Sequence, residues 1–269
     1  MPTLRLQDGL SLFYCVDDFT DPWIKPQTVL LHHGNCKNHL FWYAWMPILA
    51  RHYRVVRLDA RGYGDSEAPP PGFPWSLSVF ASDILSLLDH LGLEKAHFVG
   101  ETIGGTIGMN FAAEHPERLR SLTICTSPFK FTKPYYADSA RMVEEKGVEA
   151  WVRHTMGHRL EKESDPKHHE WYVKQMARTK PWVVSETHYY LAGKDLSDRL
   201  RQVHVPTLIL APEEEDQERQ LASEEMRHLI PGSRLVRIKG TSGFVQHSMP
   251  EACARVVLDF LREVDRQPT

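Results

Sequence analysis

The stretch HFVGETIGG, residues 97–105, decides the fold predicted for this chain. Its first residues predict a short apolar strand, and those after the turn predict a helix. Between them, Gly100 and Gly104 flank Thr102 in the spacing Gly-x-Thr-x-Gly, and glycine allows the backbone to turn tightly. Such a turn lifts the central side chain above the end of the sheet, so we expect Thr102 to be placed for attack on a carbonyl group.

Two more strand patterns precede this turn, and both end in glycine-containing loops. Residues 28–32 are followed by His33-Gly34-Asn35, and residues 54–58 are followed by DARGYGDS, residues 59–66. Helical patterns alternate with strand patterns over most of the chain, which predicts a mostly parallel sheet with helices on both faces. Ligands should then bind at the carboxyl ends of the strands.

In this order, the motifs resemble those of the α/β-hydrolase family, which has serine at the elbow where this chain has Thr102. The resemblance covers nearly the whole chain except its middle, where strand patterns stop between Cys125 and Pro206. It implies an α/β fold with a core of residues 1–127 and 201–269 and an inserted helical cap of residues 128–200. The cap is rich in aromatic side chains, which favours an apolar or aromatic substrate.

The composition is that of a single, enzyme-sized domain. The chain has 269 residues, 42% hydrophobic and 25% charged, and a net charge of −3, which gives no general attraction to nucleic acid or anionic membranes. No apolar window approaches a membrane span, the first residues lack a signal-peptide pattern, and four scattered cysteines suit reduced thiols. We therefore expect a cytoplasmic protein with a small-molecule substrate, no nucleic-acid or membrane partner and no cofactor. Whether the chain forms a homodimer stays open.

A metal site is considered in the cap and not expected. His154 and His158 are four residues apart, and His168, His169 and Glu170 follow nearby. Helical spacing would place the first two on one face, but no third ligand has motif spacing. Such pairs also arise by chance in a chain with 15 histidines.

Acyl transfer needs donors for an oxyanion and a carboxylate that orients the base. By resemblance, the donors are the backbone N–H groups of Ile103, directly after the elbow residue, and of Asn35, after His33-Gly34. The family's acid position falls on Glu215 in the run Pro212-Glu213-Glu214-Glu215-Asp216, with Asp216 as the neighbouring candidate. A second interpretation of this acidic run is a solvated loop.

The base is missing from its usual position. Registering the family's last turn on Gly240 and on Pro250-Glu251 places Gly243 in the histidine position, and the nearest imidazole is His247. His247 could serve as the base. We favour the interpretation that His247 is a partly exposed polar residue near the start of a helix and not a base.

Three functions remain open. The first is a hydrolase of a small ester, lactone, amide or activated C–C bond, with Thr102 as nucleophile or water-orienting group and His247, His33 or the substrate as base. The second is a lyase, decarboxylase or isomerase that uses the oxyanion donors, and the third is a ligand-binding relative without turnover. We favour the first, and we expect slow hydrolysis because a hydroxyl without imidazole assistance is a poor nucleophile.

Overall fold

The computed structural model describes residues 2–214, 216–239 and 243–267. The strands in these residues form one eight-stranded sheet in the order β1-β2-β4-β3-β5-β6-β7-β8. The pairs β1–β2 and β2–β4 are antiparallel, and all other neighbours are parallel. The strands are β1 Thr3–Arg5, β2 Ser11–Asp17, β3 Thr28–His32, β4 Arg54–Leu58, β5 Ala96–Glu101, β6 Leu119–Cys125, β7 Thr207–Pro212 and β8 Arg234–Ile238.

Helices cover both faces of this sheet. They are α1 Met46–Leu49, α2 Leu77–His90, α3 Ile103–Glu114, α4 Lys133–His154, α5 Pro166–Met176, α6 Pro181–Leu191, α7 Ser197–Leu200, α8 Gln217–Leu229, α9 Val245–Ser248 and α10 Pro250–Asp265. Leu30 of β3 packs in a cluster with residues of α2 and α3, whereas Val29 and Leu31 pack in a cluster with residues of α1 and α10. Successive side chains of a strand point to opposite faces, so the central strands are buried on both sides.

The predicted fold class is confirmed, while several boundaries differ. The structure adds the 3-10 turn His39–Trp45 and the helices α1 and α8, which the sequence patterns do not predict. Helix α8 buries only one side chain, Met226, and the seven residues of the 3-10 turn do not follow the 3.6-residue period of an α-helix. Helix α4 begins earlier than the predicted residue 140 and is kinked at Gly147, where φ is 83°.

Between β6 and β7 the described chain is helical apart from one isolated bridge, Lys130 to Asp195. Helices α4, α5 and α6 form a hydrophobic cluster that also includes Cys36 and Phe41, which follow β3. This packing brings the helical segment against the loop at the carboxyl end of β3. None of the helices in the described ranges is long and apolar enough to cross a membrane.

Candidate active site

Thr102 lies in the turn between β5 and α3, in a backbone conformation that β-branched residues rarely adopt. Its φ is 47° and its ψ is −121°. The turn is held because the Thr102 N–H donates to the Cys125 carbonyl at 3.0 Å, while the Thr102 carbonyl accepts from the N–H groups of Gly105 and Thr106, both at 3.1 Å. Strain of this kind persists only where the surrounding structure enforces it, and it occurs often at functional sites.

The glycines of this region are required by close packing. A Cβ on Gly104 would lie within overlap distance of the carbonyl oxygens of His32 and His33, and a Cβ on Gly34 would overlap Thr102 Oγ1. The loop after β3 therefore lies directly against the turn after β5, and the Thr102 hydroxyl lies over Gly34. Within the described ranges, that hydroxyl has no hydrogen-bond partner, so no base holds its proton.

Asn35 connects this loop to the helical segment. Its side-chain amide Nδ2 donates to His188 Nε2 of α6 at 2.7 Å, and the Tyr63 hydroxyl donates to Asn35 Oδ1 at 3.0 Å. Burial lowers the pKa of His188 to about 3, so the ring is neutral and carries its proton on Nδ1 when Nε2 accepts. The backbone N–H groups of Asn35 and Ile103 have no backbone acceptor in the described part of the chain, which leaves both available for a ligand.

A buried, charged cluster lies beside the elbow. The carboxylate of Glu101, which is fully buried, accepts from Lys37 Nζ at 2.6 Å, from Gln246 Nε2 at 2.7 Å and from the backbone N–H of Gly34 at 3.2 Å. His247 Nε2 lies 2.6 Å from Glu101 Oε2 and 2.8 Å from Lys37 Nζ. Both ionisable partners of Glu101 are thus held within hydrogen-bond distance of each other.

The protonation states follow from burial and from these contacts. Burial alone raises the pKa of Glu101, but His247 and Lys37 outweigh it and hold that pKa far below its usual range. Burial lowers the pKa of Lys37 to about 8, with Glu101 opposing the shift, and lowers the pKa of His247 to about 4. At neutral pH, Glu101 is therefore ionised, Lys37 is mostly protonated and His247 is a neutral imidazole.

His247 is not the partly exposed residue that we favoured from the sequence, because it is only 9% exposed. Its ring packs edge-on against Phe41 and Tyr172, each with ring centroids 5.6 Å from it. The helix α9, Val245–Ser248, turns this side chain inward, toward Glu101. His247 therefore lies within the site, and its carboxylate partner in the described residues is Glu101 of β5.

Asp216 in the acidic loop does not contact the site residues described above. Asp216 has a 62% exposed side chain that accepts from the Arg219 N–H at 2.9 Å and so caps the start of α8. It makes no hydrogen bond to a histidine ring in the described residues. Glu215 lies outside the described residues. For Asp216 the interpretation as part of a solvated loop is the one that its contacts support.

Gly243, in the expected histidine position, is covered by the chain from the helical segment. Its N–H donates to Glu161 Oε1 at 3.2 Å, and the Phe244 N–H donates to the Arg159 carbonyl at 3.2 Å. A Cβ on Gly243 would lie 3.0 Å from that carbonyl oxygen. A side chain at this position is therefore crowded, which gives a local packing reason for glycine.

His33 and Cys36 do not have the environment of catalytic groups. His33 Nδ1 donates to the Gly34 carbonyl at 2.7 Å, and its Nε2 accepts from the Ala60 N–H at 2.9 Å, so both ring nitrogens hold backbone in place. Burial lowers the pKa of His33. Cys36 is fully buried, and burial raises the pKa of its thiol to about 12, which disfavours a thiolate.

One group of residues has the spacing of a metal site within the described ranges: His39, Asp59 and Asp65. Asp59 already accepts from the His39 N–H at 2.5 Å, from His39 Nδ1 at 2.9 Å and from the Asp65 N–H at 2.8 Å. Asp65 also pairs with Arg178. These contacts show that the two carboxylates stabilise the loop after β4, and we assign no metal to them.

The sequence interpretation missed Glu101, Lys37 and Arg159. Glu101 was visible as the variable residue of the Gly-x-Thr-x-Gly motif, and a carboxylate before the elbow at the end of a buried strand is a signal for a buried partner. Lys37 follows Asn35 by two residues, but nothing local indicates that its charge is buried. Arg159, only 6% exposed, lies in a segment without a motif.

The fold and the elbow together define the α/β-hydrolase class, and comparison with known proteins agrees. The family model described as "alpha/beta hydrolase fold" matches residues 27–248, so the chain belongs to this family. It is similar to a "Putative carbamate hydrolase RutD" of Caulobacter sp. (strain K31), with 28% identity over 87% of this chain and 90% of the relative. It is also 37% identical to "Bifunctional epoxide hydrolase 2" of Sus scrofa, over 39% of this chain.

Several of these matches are partial. The aligned region spans 19% of the epoxide hydrolase and 48% of the RutD protein of Caulobacter segnis, to which the chain is 35% identical. Among solved structures, a hydrolase from Pseudomonas aeruginosa aligns with a TM-score of 0.87 at 26% identity, covering 97% of both chains. The enol-lactonase from Burkholderia xenovorans LB400 aligns with a TM-score of 0.89 at 23% identity, over 97% of this chain and 100% of its own, and indicates the shared fold.

Proposed function

We propose that the protein is an enzyme that hydrolyses a small carbonyl compound at the carboxyl ends of β3 and β5. The observation that carries this proposal is the buried pair of His247 and Glu101, 2.6 Å apart, directly beside the elbow residue Thr102. A carboxylate that orients a neutral imidazole is the arrangement that general-base catalysis requires. Glu101 takes the orienting role that the sequence assigned to Glu215 or Asp216.

The reacting carbonyl is proposed to bind between Asn35 and Ile103. Their backbone N–H groups lack backbone acceptors within the described ranges, and donors of this kind stabilise the negative charge that develops on the carbonyl oxygen. Thr102, between them, acts as nucleophile or orients the attacking water. Because its hydroxyl has no base partner, we expect turnover of simple esters to be slow.

We further infer that residues 128–200 act as a cap over this site. The contacts that support a cap are the Asn35–His188 hydrogen bond and the Tyr63–Thr187 contact of 3.3 Å between hydroxyl oxygens, both of which join α6 to the core. The hydrophobic cluster of α4, α5 and α6 with Cys36 and Phe41 adds packing beside the same loop. A cap of this kind excludes water and sets the shape of the substrate pocket.

The proposal is tested with p-nitrophenyl acetate at pH 7. His247→Gln keeps a side chain that can hydrogen-bond but removes the base, so hydrolysis should fall by about 10²- to 10⁴-fold. His228→Gln, at an exposed histidine of α8, is the matched control and should hydrolyse at the wild-type rate. Equal rates for His247→Gln and the wild type, or no hydrolysis of any ester above background, would refute the proposal.

The variant Thr102→Val, which keeps the shape of the side chain and removes the hydroxyl, tests whether Thr102 is the nucleophile or orients the attacking water. Loss of hydrolysis in this variant, together with an acetyl adduct on the wild-type protein by intact mass, assigns Thr102 as nucleophile. Retained hydrolysis without an adduct assigns attack by water. Fluorophosphonate reagents should label the wild-type Thr102 slowly, because they report a base-activated hydroxyl.

A second candidate is a lyase, decarboxylase or isomerase, and the unpartnered Thr102 hydroxyl favours it. Such a reaction needs the oxyanion donors and a proton donor or acceptor, which Lys37 or His247 would supply, but no nucleophile. Conversion of a β-keto acid by the Thr102→Val variant, in the absence of ester hydrolysis by the wild type, would select this candidate.

A further inference from the structure

Arg159 carries a buried positive charge that no carboxylate of the described residues pairs with. Its side chain is 6% exposed, and guanidinium groups stay protonated in proteins. The group stacks on the Trp151 ring at 4.8 Å, and its Nη1 donates to the carbonyl and the hydroxyl of Thr155. Its Nε has no partner, and no carboxylate pairs with it in the described part of the chain. Buried arginines are normally paired, so this charge calls for an anion.

Arg159 belongs to a group of buried polar atoms that all lack partners. Seven buried side-chain polar atoms in the described ranges have no hydrogen bond, and four of them belong to this group: Trp151 Nε1, Arg159 Nε, Tyr172 Oη and His188 Nδ1. The Trp151 ring lies 5.1 Å from that of His188 and beneath Arg159, and Tyr172 packs in the same hydrophobic cluster as Trp151. All four atoms can donate a hydrogen, since His188 Nε2 accepts from Asn35. Such a concentration of unpaired donors is typical of a place for an acceptor.

The group lies next to the proposed reaction site. His188 contacts Asn35, whose N–H is a proposed oxyanion donor, and the Tyr172 ring packs against His247. The positive charge of Arg159 also contributes to lowering the pKa of Lys37 and of His188, after the larger effect of burial. An anion bound at Arg159 would therefore belong to the same molecule whose carbonyl binds at Asn35.

We propose that the substrate carries a carboxylate that binds Arg159, an inference that rests on the function proposed above. The local charge balance favours a monoanion: Lys37 and Glu101 neutralise each other, His188 and His247 are neutral, and Arg159 leaves one positive charge. A carboxylate matches this charge and accepts from several donors at once. The substrate class is thus a small carboxylic acid that contains an ester, lactone, amide or ketone function.

The test measures binding and not turnover. Acetate and benzoate are titrated against the wild-type protein, with the unfolding temperature and tryptophan fluorescence as readouts, and benzamide serves as the uncharged counterpart of benzoate. Acetate and benzoate should raise the unfolding temperature, and benzoate should bind about tenfold or more tightly than benzamide. Failure of both carboxylates to bind, or equal binding of benzamide, would overturn the proposal without any variant.

Two variants locate the site. Arg159→Met should weaken benzoate binding by about tenfold or more, whereas Arg153→Met, which removes an exposed arginine of α4 paired with Glu149 and Glu170, should leave it unchanged. Unchanged benzoate binding in a folded Arg159→Met protein contradicts the assignment. Tighter binding of inorganic phosphate than of acetate would also overturn it, in favour of a phosphate ester.

The binding results and the activity results are independent. If the protein binds benzoate through Arg159 but hydrolyses no ester, the proposed function is refuted and the anion site is still supported. A protein that hydrolyses p-nitrophenyl acetate through His247 and binds neither carboxylate refutes the anion site alone.

Discussion

Glu101 decides the electrostatics of the site at the scale of single residues. It is fully buried between a lysine and a histidine, and its carboxylate has four hydrogen-bonding neighbours: Lys37, His247, Gln246 and the N–H of Gly34. Removing one member of a buried ion pair leaves the other charge without compensation, which costs more than the pair itself contributes. This cluster therefore has a stability signature that can be measured apart from activity.

Glu101→Gln is expected to lower the free energy of unfolding by about 3–5 kcal/mol, because Lys37 loses its buried counter-charge and must either stay charged without it or give up its proton. The double variant Glu101→Gln/Lys37→Met should recover a substantial part of this loss. Urea unfolding at pH 7 gives both values. The exposed pair Lys130 and Glu225 is the matched control, since its removal should change stability by only about 0–1 kcal/mol. Additive losses in the double variant would contradict a coupled pair at Glu101.

At the scale of elements, Gly243 and Phe244, directly before α9, pack against the chain that follows α4. Gly243 and Phe244 hydrogen-bond to Glu161 and Arg159, so the position where the family has its histidine is covered by the helical segment. The same contacts hold Arg159 near the carboxyl ends of the strands. The position where the family has its histidine is thus in direct contact with the backbone of Arg159.

Gly243→Ala tests this arrangement without any assay of activity. Its Cβ would lie 3.0 Å from the Arg159 carbonyl oxygen, which is hydrogen-bonded and cannot move freely, so we expect a loss of about 1–3 kcal/mol. Gly157→Ala, in the 3-10 turn Met156–His158, has no atom within 4 Å of the added carbon and serves as the control. If both variants unfold at the same urea concentration, the close contact at Gly243 does not exist in solution.

Over the whole of the described chain, four buried histidines, His32, His33, His188 and His247, have a pKa lowered by burial, and this makes stability depend on pH. Burial lowers the pKa of His32 and of His188 to about 3 and that of His247 to about 4, from the usual 6.5. Because each folded-state pKa is below the unfolded value, the unfolded chain binds more protons in the interval between them. The free energy of unfolding should therefore fall as the pH is lowered through this interval, from about 6.5 toward 4.

Each buried histidine contributes a slope of at most about 1.4 kcal/mol per pH unit in that interval. His188→Gln should reduce the slope by up to this amount, because glutamine does not titrate. Urea unfolding between pH 7 and pH 4 measures it for the wild type and the variant. Parallel curves for the two proteins would show that His188 is not buried as a neutral ring.

Much of this architecture followed from local sequence. The elbow, the loops after residues 32 and 58 and the alternation of helices and strands predicted the α/β-hydrolase fold, because hydrophobic periodicity and glycine spacing act over a few residues. The family match confirms that prediction. The cytoplasmic location and the boundaries of the cap stay predictions, and the sequence leaves open whether the chain forms a homodimer.

The site could be predicted only in part, for a physical reason. The sequence by itself determined where Thr102, Gly34, Asn35 and Ile103 lie, since their positions depend on turns within single loops. Tertiary structure decided that His247 pairs with Glu101, and that no carboxylate of the described residues pairs with the buried Arg159 charge. His247 and Glu101 are 146 positions apart in the sequence. Charge pairing and burial depend on the packing of the whole chain, which no local pattern records.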